Sequence, residues 1–339
     1  MQEGFRGRKA TRMTTQYAHL YGPVPSRRLG LSLGVDIVPA KVCTLDCIYC
    51  QIGRTSLATL VRKPYLPASE VLAELSDRIG QGLACDYITL TGSGEPTLNT
   101  ELGCLIDQIR TLTHIPIALI TNGTLLYDPA VRFDAARADV VLPSLDAGNE
   151  AAFRKINRPC LDLAFQTFLQ GLIDFRARYQ GRIWLEVFLI EGVNTSDAEI
   201  QSLKDCIARI RPDKVHLNTA VRPTAEPGIK PLDPALLQAI AQRMGPDCEV
   251  IADFPIAHPH HLPESLHSLA QADQTAESIF AMLKRRPCSI DDLCSALALT
   301  RTAALAALKM LTAANRICTT SKAGRVFYAP APDTPPTDS

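Results

Sequence analysis

From Ser32 to Phe254 short runs of Val, Ile and Leu alternate with longer segments in which apolar residues return every three or four positions. The apolar runs predict strands over Ser32–Val38, Tyr87–Thr91, Ile117–Thr121, Val140–Ser144, Ile183–Ile190, Lys214–Asn218 and, more weakly, Glu249–Phe254. They are nearly continuous rather than alternating, as strands buried on both faces of a parallel sheet are. The periodic segments predict amphipathic helices over Ser69–Ile79, Leu102–Leu112, Leu161–Tyr179, Ser196–Ile210 and Pro234–Met244. Alternation sustained this long predicts an α/β domain with a parallel sheet, open or closed into a barrel.

Beyond Phe254 the pattern changes. Residues 257–263 (AHPHHLP) read as a linker or lid. Three helical segments follow, Thr275–Lys284, Ser289–Leu297 and Thr300–Arg316, then two short strands, Ile317–Thr320 and Arg325–Tyr328, across a Ser-Lys-Ala-Gly turn. Ser289 and Asp292 have the spacing of a capping box. Three helices and a hairpin predict a small winged-helix domain. The expected organisation is an N-terminal arm over 1–19 (disordered or a mis-called start), a catalytic domain over 20–256, a linker over 257–274, a winged helix over 275–328 and a disordered tail over 329–339.

Composition narrows the class. The 339 residues are 46% hydrophobic and 21% charged, with 35 basic and 35 acidic side chains, so no global charge points to nucleic acid or an anionic membrane. No apolar run is long enough to span a bilayer. Eleven cysteines, an odd number on a long chain, do not suit a secreted disulfide framework, so a cytoplasmic location is expected. Most of the cysteines are isolated and read as buried free thiols.

Three are not isolated. Cys43-Thr-Leu-Asp-Cys47-Ile-Tyr-Cys50 follows the first predicted strand. Three thiolates on one loop can cap three irons of a cubane and leave the fourth open. A structural zinc site wants four ligands, and no fourth Cys or His follows at a fitting distance. The later strands also end in polar or Gly-rich turns: Gly92-Ser-Gly-Glu95-Pro, Thr121-Asn122-Gly123, Ser144-Leu-Asp146, Gly192-Val-Asn194 and Asn218-Thr-Ala-Val-Arg222-Pro. Active sites of α/β barrels assemble from such ends, several strands contributing at once. Glycines at 92 and 94 allow close backbone approach, Glu95 can accept from an ammonium, and Ser144 with Asp146 suits a ribose diol.

The cysteine motif, the Gly-Ser-Gly-Glu loop and Ser-x-Asp resemble the radical S-adenosylmethionine (SAM) superfamily. The stretch from Tyr21-Gly-Pro-Val-Pro-Ser-Arg-Arg-Leu-Gly to Cys50-Gln51, with Lys155-Ile-Asn-Arg-Pro159 and Val221-Arg-Pro, is similar to stand-alone members with a C-terminal winged helix, distantly like tRNA wyosine-base synthases. The resemblance covers roughly residues 20–328 and implies a partial (β/α)6 TIM-like barrel. It implies a 4Fe–4S cluster on Cys43, Cys47 and Cys50, and SAM on its open iron. Gly92, Ser93, Gly94 and Glu95 would hold the methionyl amino group, with Ser93 in place of the usual second Gly. Asn122, Ser144 and Asp146 would lie near the methionyl carboxylate or ribose. Tyr49 would pack on the adenine or else belong to the core. The implied reaction is reductive cleavage of SAM to a 5′-deoxyadenosyl radical that takes hydrogen from a substrate, with ferredoxin or flavodoxin as electron donor.

Arg154, Lys155, Arg158 and Arg222, on loops at the expected barrel mouth, suggest an anionic substrate, against a reading in which they form surface pairs. The winged helix carries Lys284, Arg285, Arg286, Arg301, Lys309, Arg316, Lys322 and Arg325 against Glu277, Asp291 and Asp292. That is a modest basic footprint on a recognition helix made mostly of Ala and Leu, and nucleic-acid contact is its less favoured use. A tRNA-modifying enzyme is the nearest alternative. A redox-sensing regulator with the cluster as sensor is another, but it leaves the strand-end motifs unexplained. The His258–His261 cluster has no suitably spaced carboxylate or Cys and reads as solvated.

Overall fold

The computed structural model describes residues 17–252, 269–297, 299–322 and 324–331. The His258–His261 cluster lies outside the described residues, as do most of the expected arm, linker and tail.

One eight-stranded sheet organises the larger part, in the order β1 (Leu20–Ser26), β2 (Gly30–Asp36), β5 (Tyr87–Thr91), β6 (Ile117–Ile120), β7 (Val140–Leu142), β8 (Arg182–Leu189), β9 (Lys214–Thr219) and β10 (Cys248–Val250). From β2 to β10 every pairing is parallel; β1 runs antiparallel to β2. Two minor strands, β3 (Val42–Cys43) and β4 (Leu57–Ala58), pair with each other. Six strands, β2 and β5 to β9, are each followed by a helix: α1 (Ala68–Gly80), α2 (Leu102–Leu112), α3 (Pro129–Ala135), α4 (Glu150–Asn157) with α5 (Phe165–Arg178), α6 (Asp197–Ile210) and α7 (Pro234–Met244). The strand order is linear, so the sheet is an open, partial (β/α)6 barrel extended by one strand at each edge.

The pleat sorts the residues. Leu33, Val35, Ile88, Leu90, Ile117, Leu119, Leu185, Val187 and Leu217 face outward, packed with Leu75, Ile106, Ile109, Leu172, Leu203 and Ile240 of the helices. Each such fully buried aliphatic contributes roughly 1.5–3 kcal/mol. The inner face is mixed. Ala118, Val140, Leu142 and Trp184 form a small apolar floor with Leu29, while Ser32 and Thr89 share a buried hydroxyl contact at 2.6 Å.

The edge strand β1 was not predicted. Gly22, Pro23 and Pro25 mask it, and Pro is admissible there because an edge strand has N–H groups that need no partner. Tyr21 lies over Gly34 of β2, where an added Cβ would stand 2.0 Å from the ring. The short helices α3 and α4 were also unforeseen.

The C-terminal part comprises α8 (Leu269–Leu283), α9 (Ile290–Leu297), α10 (Arg301–Ala313) and the antiparallel pair β11 (Ile317–Lys322) and β12 (Arg325–Pro330). Helix α8 starts inside the stretch expected as linker, and β12 runs into the expected tail. The capping box forms: Ser289 N–H donates to Asp292 at 2.8 Å and Asp292 N–H to Ser289 Oγ at 3.2 Å. Ile279, Leu283, Leu293, Leu308 and Leu311 make a core that takes in Val24 of β1, so this unit docks on the sheet edge. Among the described residues no single helix is long and apolar enough to cross a membrane.

Candidate functional site

Cys43 ends β3, and the chain from there to β4 is a loop with few hydrogen bonds of its own. It is held instead by its neighbours. Asp46 N–H and Ile48 N–H donate to the carbonyls of Asn157 and Ile156 at the end of α4, at 3.0 and 2.9 Å. On the other side Ala225 N–H and Glu226 N–H donate to the carbonyls of Cys50 and Ile48. Arg158 leaves α4 in the left-handed region, φ 44°, turning the chain so that Pro159 bridges to Leu45. The three cysteines are thus fixed by α4, by the segment after β9 and by β4.

All three thiols are free and half-buried. Burial, then the nearby Glu95, pushes Cys43 up to about 12; burial, then Asp146 and Cys43, raises Cys47 well above an ordinary thiol. Burial also raises Cys50. Thiolates in such a place need cations, and iron would supply them. Among the described residues no three His, Cys, Asp or Glu side chains converge as ligands of one ion. In a cubane each thiolate would cap its own iron, so the three sulfurs need not converge on one ion. Two amides face the sulfurs: Asn122 Nδ2 lies 3.5 Å from Cys43 Sγ and Asn157 Nδ2 lies 3.4 Å from Cys47 Sγ. The donor set therefore fits an iron–sulfur cluster.

Behind the cysteines is the Gly92–Glu95 loop. Lys41 N–H donates to the Ser93 carbonyl at 2.6 Å, and Glu95 N–H to the Val42 carbonyl at 2.9 Å. A Cβ on Gly94 would stand 2.0 Å from the Val42 carbonyl oxygen, so only glycine lets the two loops meet. Glu95, 1% exposed, accepts from Thr97 N–H at 3.0 Å, from the Thr97 and Thr121 hydroxyls, and from Asn122 N–H at 2.7 Å. Burial raises its pKa, and these donors work the other way. One lone pair of Glu95 Oε2 remains for an ammonium.

Asp146, 2% exposed, is similarly occupied. It accepts from the Tyr49 phenol at 2.5 Å, from Asn157 Nδ2 at 2.7 Å and from Phe188 N–H at 2.9 Å. Burial pushes its pKa up to about 6 against those hydrogen bonds. Tyr49 stacks on Phe188, centroids 3.9 Å apart. Here Asp146 orients Tyr49 and Asn157 with most of its capacity. Ser144 is half-buried and pairs with Glu186 through a β-bridge.

The structure brings Cys43, Cys47, Cys50, Tyr49, Gly92, Ser93, Gly94, Glu95, Asn122, Ser144 and Asp146 to the C-terminal ends of β2 and β5–β7. It does not bring the four mouth cations together. Arg154 pairs with Glu150 at 2.6 Å, Arg158 with Glu226 at 2.6 Å and Arg222 with Asp292 at 2.8 Å, while Lys155 is exposed. Sequence reasoning missed Asn157, Thr44 and Thr121. Asn157 stood inside the Lys155–Pro159 motif. Thr44 follows a cysteine directly, and its hydroxyl receives Asn122 Nδ2 at 2.8 Å.

Comparisons with known proteins place the chain among described families. The family model described as the Radical SAM superfamily matches residues 37–203. The "GTPase Obg" of Brachyspira hyodysenteriae is 40% identical over 250 residues, 72% of this chain but 36% of that protein, so the chain spans about a third of that relative. The present chain has no Gly-Lys dipeptide and therefore no P-loop. A UPF0026 protein of Helicobacter pylori (strain J99) is 31% identical over 281 residues, 80% of this chain and 86% of that protein. Among solved structures, a radical SAM methyltransferase from Sphaerobacter thermophilus is 18% identical with a TM-score of 0.48, covering 65% of this chain and 66% of that one.

Proposed function

The chain belongs to the radical SAM superfamily and, within it, to the UPF0026 proteins; from that premise we propose that Cys43, Cys47 and Cys50 hold its 4Fe–4S cluster and that SAM binds beside them. Enzymes of this superfamily work with that cluster and SAM. When bound, the pair supplies reductive cleavage of the C5′–S bond, and so a 5′-deoxyadenosyl radical for hydrogen abstraction from a substrate.

The protein's own contribution is binding and orientation. The Gly92–Glu95 loop would meet the methionyl ammonium through Ser93, the backbone and the free lone pair of Glu95. Asn122, Ser144 and Asp146 would border the methionyl carboxylate or ribose, and Tyr49 would border the adenine. Because Glu95 and Asp146 are largely saturated by protein donors, they act chiefly as positioning residues: Glu95 fixes the Thr121–Asn122 turn, and Asp146 fixes Tyr49 and Asn157. The C-terminal three helices and hairpin are read as a winged helix packed on its own barrel. A one-electron donor such as ferredoxin or flavodoxin completes the system.

The observation that carries this reading is the trio of cysteines on one loop, with Asn122 and Asn157 amides directed at two of the sulfurs. The test is anaerobic reconstitution, an iron count, then reduction with SAM and chromatography for 5′-deoxyadenosine. About four irons per chain and 5′-deoxyadenosine, both lost in Cys43→Ala, Cys47→Ala and Cys50→Ala, are expected. An intact cluster that neither binds nor cleaves SAM would overturn the reading.

A further inference from the structure

The C-terminal unit grips the open barrel at both sides. Arg285, just past α8, donates to Asp36 at the end of β2 at 2.7 Å, and its guanidinium lies over the Tyr21 ring of β1. Arg222, three residues beyond β9, donates to Asp292 of α9 at 2.8 and 3.1 Å and to the Pro287 carbonyl at 3.0 Å. Both ion pairs are largely buried. Two contacts at opposite flanks of a sheet that does not close on itself make the unit a wall across the gap.

Between this wall and the inner face of the sheet lies a cavity of about 390 Å³. Ser32, Thr89 and Ile120 of the sheet form one side, and its charged lining is Arg27, Arg28, Arg222, Arg285 and Arg286, with Asp292 the one acid among the described lining residues. Among the described residues two further acids stand close by, and both are engaged: Asp36 with Arg285, and Glu186 with Arg28. Asp292 is held by Arg222. Among the described residues the Arg286 guanidinium has no ion pair and no hydrogen bond of its own, although it is half-buried. A guanidinium in a partly dry chamber is stabilised by an oxyanion, which its planar fork can bind through two parallel hydrogen bonds.

We infer that the C-terminal unit completes a chamber inside the barrel, and that this chamber binds the oxyanion group of a small molecule, phosphate or carboxylate, with Arg286 as its principal contact. The inference rests on the radical SAM reading only in taking that small molecule to be the substrate. It gives the C-terminal unit a task that needs no nucleic acid, and it moves the anion site from the mouth loops to the barrel interior.

The test is calorimetric titration of the cluster-loaded full-length protein with inorganic phosphate and, separately, with succinate. Whichever binds names the source of the oxyanion. Binding should weaken by about tenfold or more in Arg286→Ala, less in Arg286→Lys, and should stay unchanged in Arg154→Ala, whose side chain lies elsewhere. Ser295→Asp, an exposed lining position on α9, should also weaken it and guards against a misfolded Arg286 variant. Failure of both anions to bind below about 10 mM, or wild-type affinity in Arg286→Ala and Ser295→Asp, overturns the inference. 5′-Deoxyadenosine is measured on the same samples. SAM cleavage without anion binding removes this inference and leaves the radical reading standing; anion binding without SAM cleavage does the reverse.

Discussion

The side-chain amide of Asn157 is directed at Cys47 Sγ across 3.4 Å, while its Nδ2 also donates to Asp146 at 2.7 Å. A carboxylate thus aims an amide at a sulfur proposed to ligate iron. Hydrogen bonds to cluster sulfurs stabilise the reduced, more negative state and raise the potential. Asn157→Leu removes the donor while keeping the branching of the side chain. A net hydrogen bond of about 1 kcal/mol corresponds to on the order of 40 mV for one electron, so the variant cluster should reduce at a potential lower by about that amount. Redox titration followed by electron paramagnetic resonance checks it. An unchanged potential would mean that the amide serves only to hold Asp146.

Gly94 is the second fixed point of the cysteine loop. An added Cβ would meet the Val42 carbonyl oxygen at 2.0 Å, and that atom is backbone, which has no rotamer to escape into. Overpacking of this kind costs roughly 1–3 kcal/mol, and here it falls on the loop next to Cys43. Gly94→Ala should therefore fold with a normal far-UV circular dichroism spectrum yet take up about tenfold less iron on reconstitution at limiting iron. Wild-type iron content would show that the two loops separate without consequence.

What could be read in advance follows from what is local. The strands β2 and β5 to β9 are rich in Val, Ile and Leu, and the cysteines lie within eight positions, so both declared themselves. Strand β1 did not, because Pro23 and Pro25 are marks against a strand except at an edge, and edge status is a tertiary fact. Helix α3 is seven residues long, too short for its periodicity to register, although Asp128 caps it and Pro129 opens it. Cys47 lies 110 positions from Asn157, and Tyr49 lies 97 from Asp146, so no spacing rule could pair them. For the same reason the donor Thr121, from the end of the next strand, could not be assigned to Glu95 from the sequence. The mouth arginines failed differently, since each found a nearby acid once folded.

His216 of β9 gives the fold a pH dependence. It is 2% exposed, stands edge-on to Trp184, and its Nδ1 has no hydrogen-bond partner among the described residues. Burial, reinforced by Arg28, lowers its pKa to about 4 from 6.5. The unfolded chain therefore binds the proton more readily than the folded one. Stability is full above pH 6.5 and is lost as pH falls from there toward 4, by about 3 kcal/mol in all. His216→Phe keeps a ring against Trp184 and cannot take up the proton. Urea unfolding at pH 7.5 and pH 5 should show the wild type weakening by more than the variant. Equal pH dependence in the two proteins would place the titration elsewhere.

The Arg222–Asp292 pair carries the last prediction. Burial works to raise the Asp292 carboxyl, but Arg222 and the N–H and hydroxyl of Ser289 outweigh it and hold the group below the usual carboxylate range. Removing one partner strands a buried charge, a loss typically of about 3–5 kcal/mol, whereas replacing both by apolar residues of similar size avoids that cost. Arg222→Met alone should loosen the C-terminal unit from the barrel, giving faster proteolysis of the intact chain, while Arg222→Met with Asp292→Leu should restore resistance. The capping box complicates the second change, because Asp292 also receives Ser289 N–H, so about 1 kcal/mol should remain missing from α9. If the double variant is as protease-sensitive as the single one, the pair holds the unit by its specific geometry. If neither is sensitive, the Arg285–Asp36 contact and the shared core around Val24 suffice to keep the wall in place.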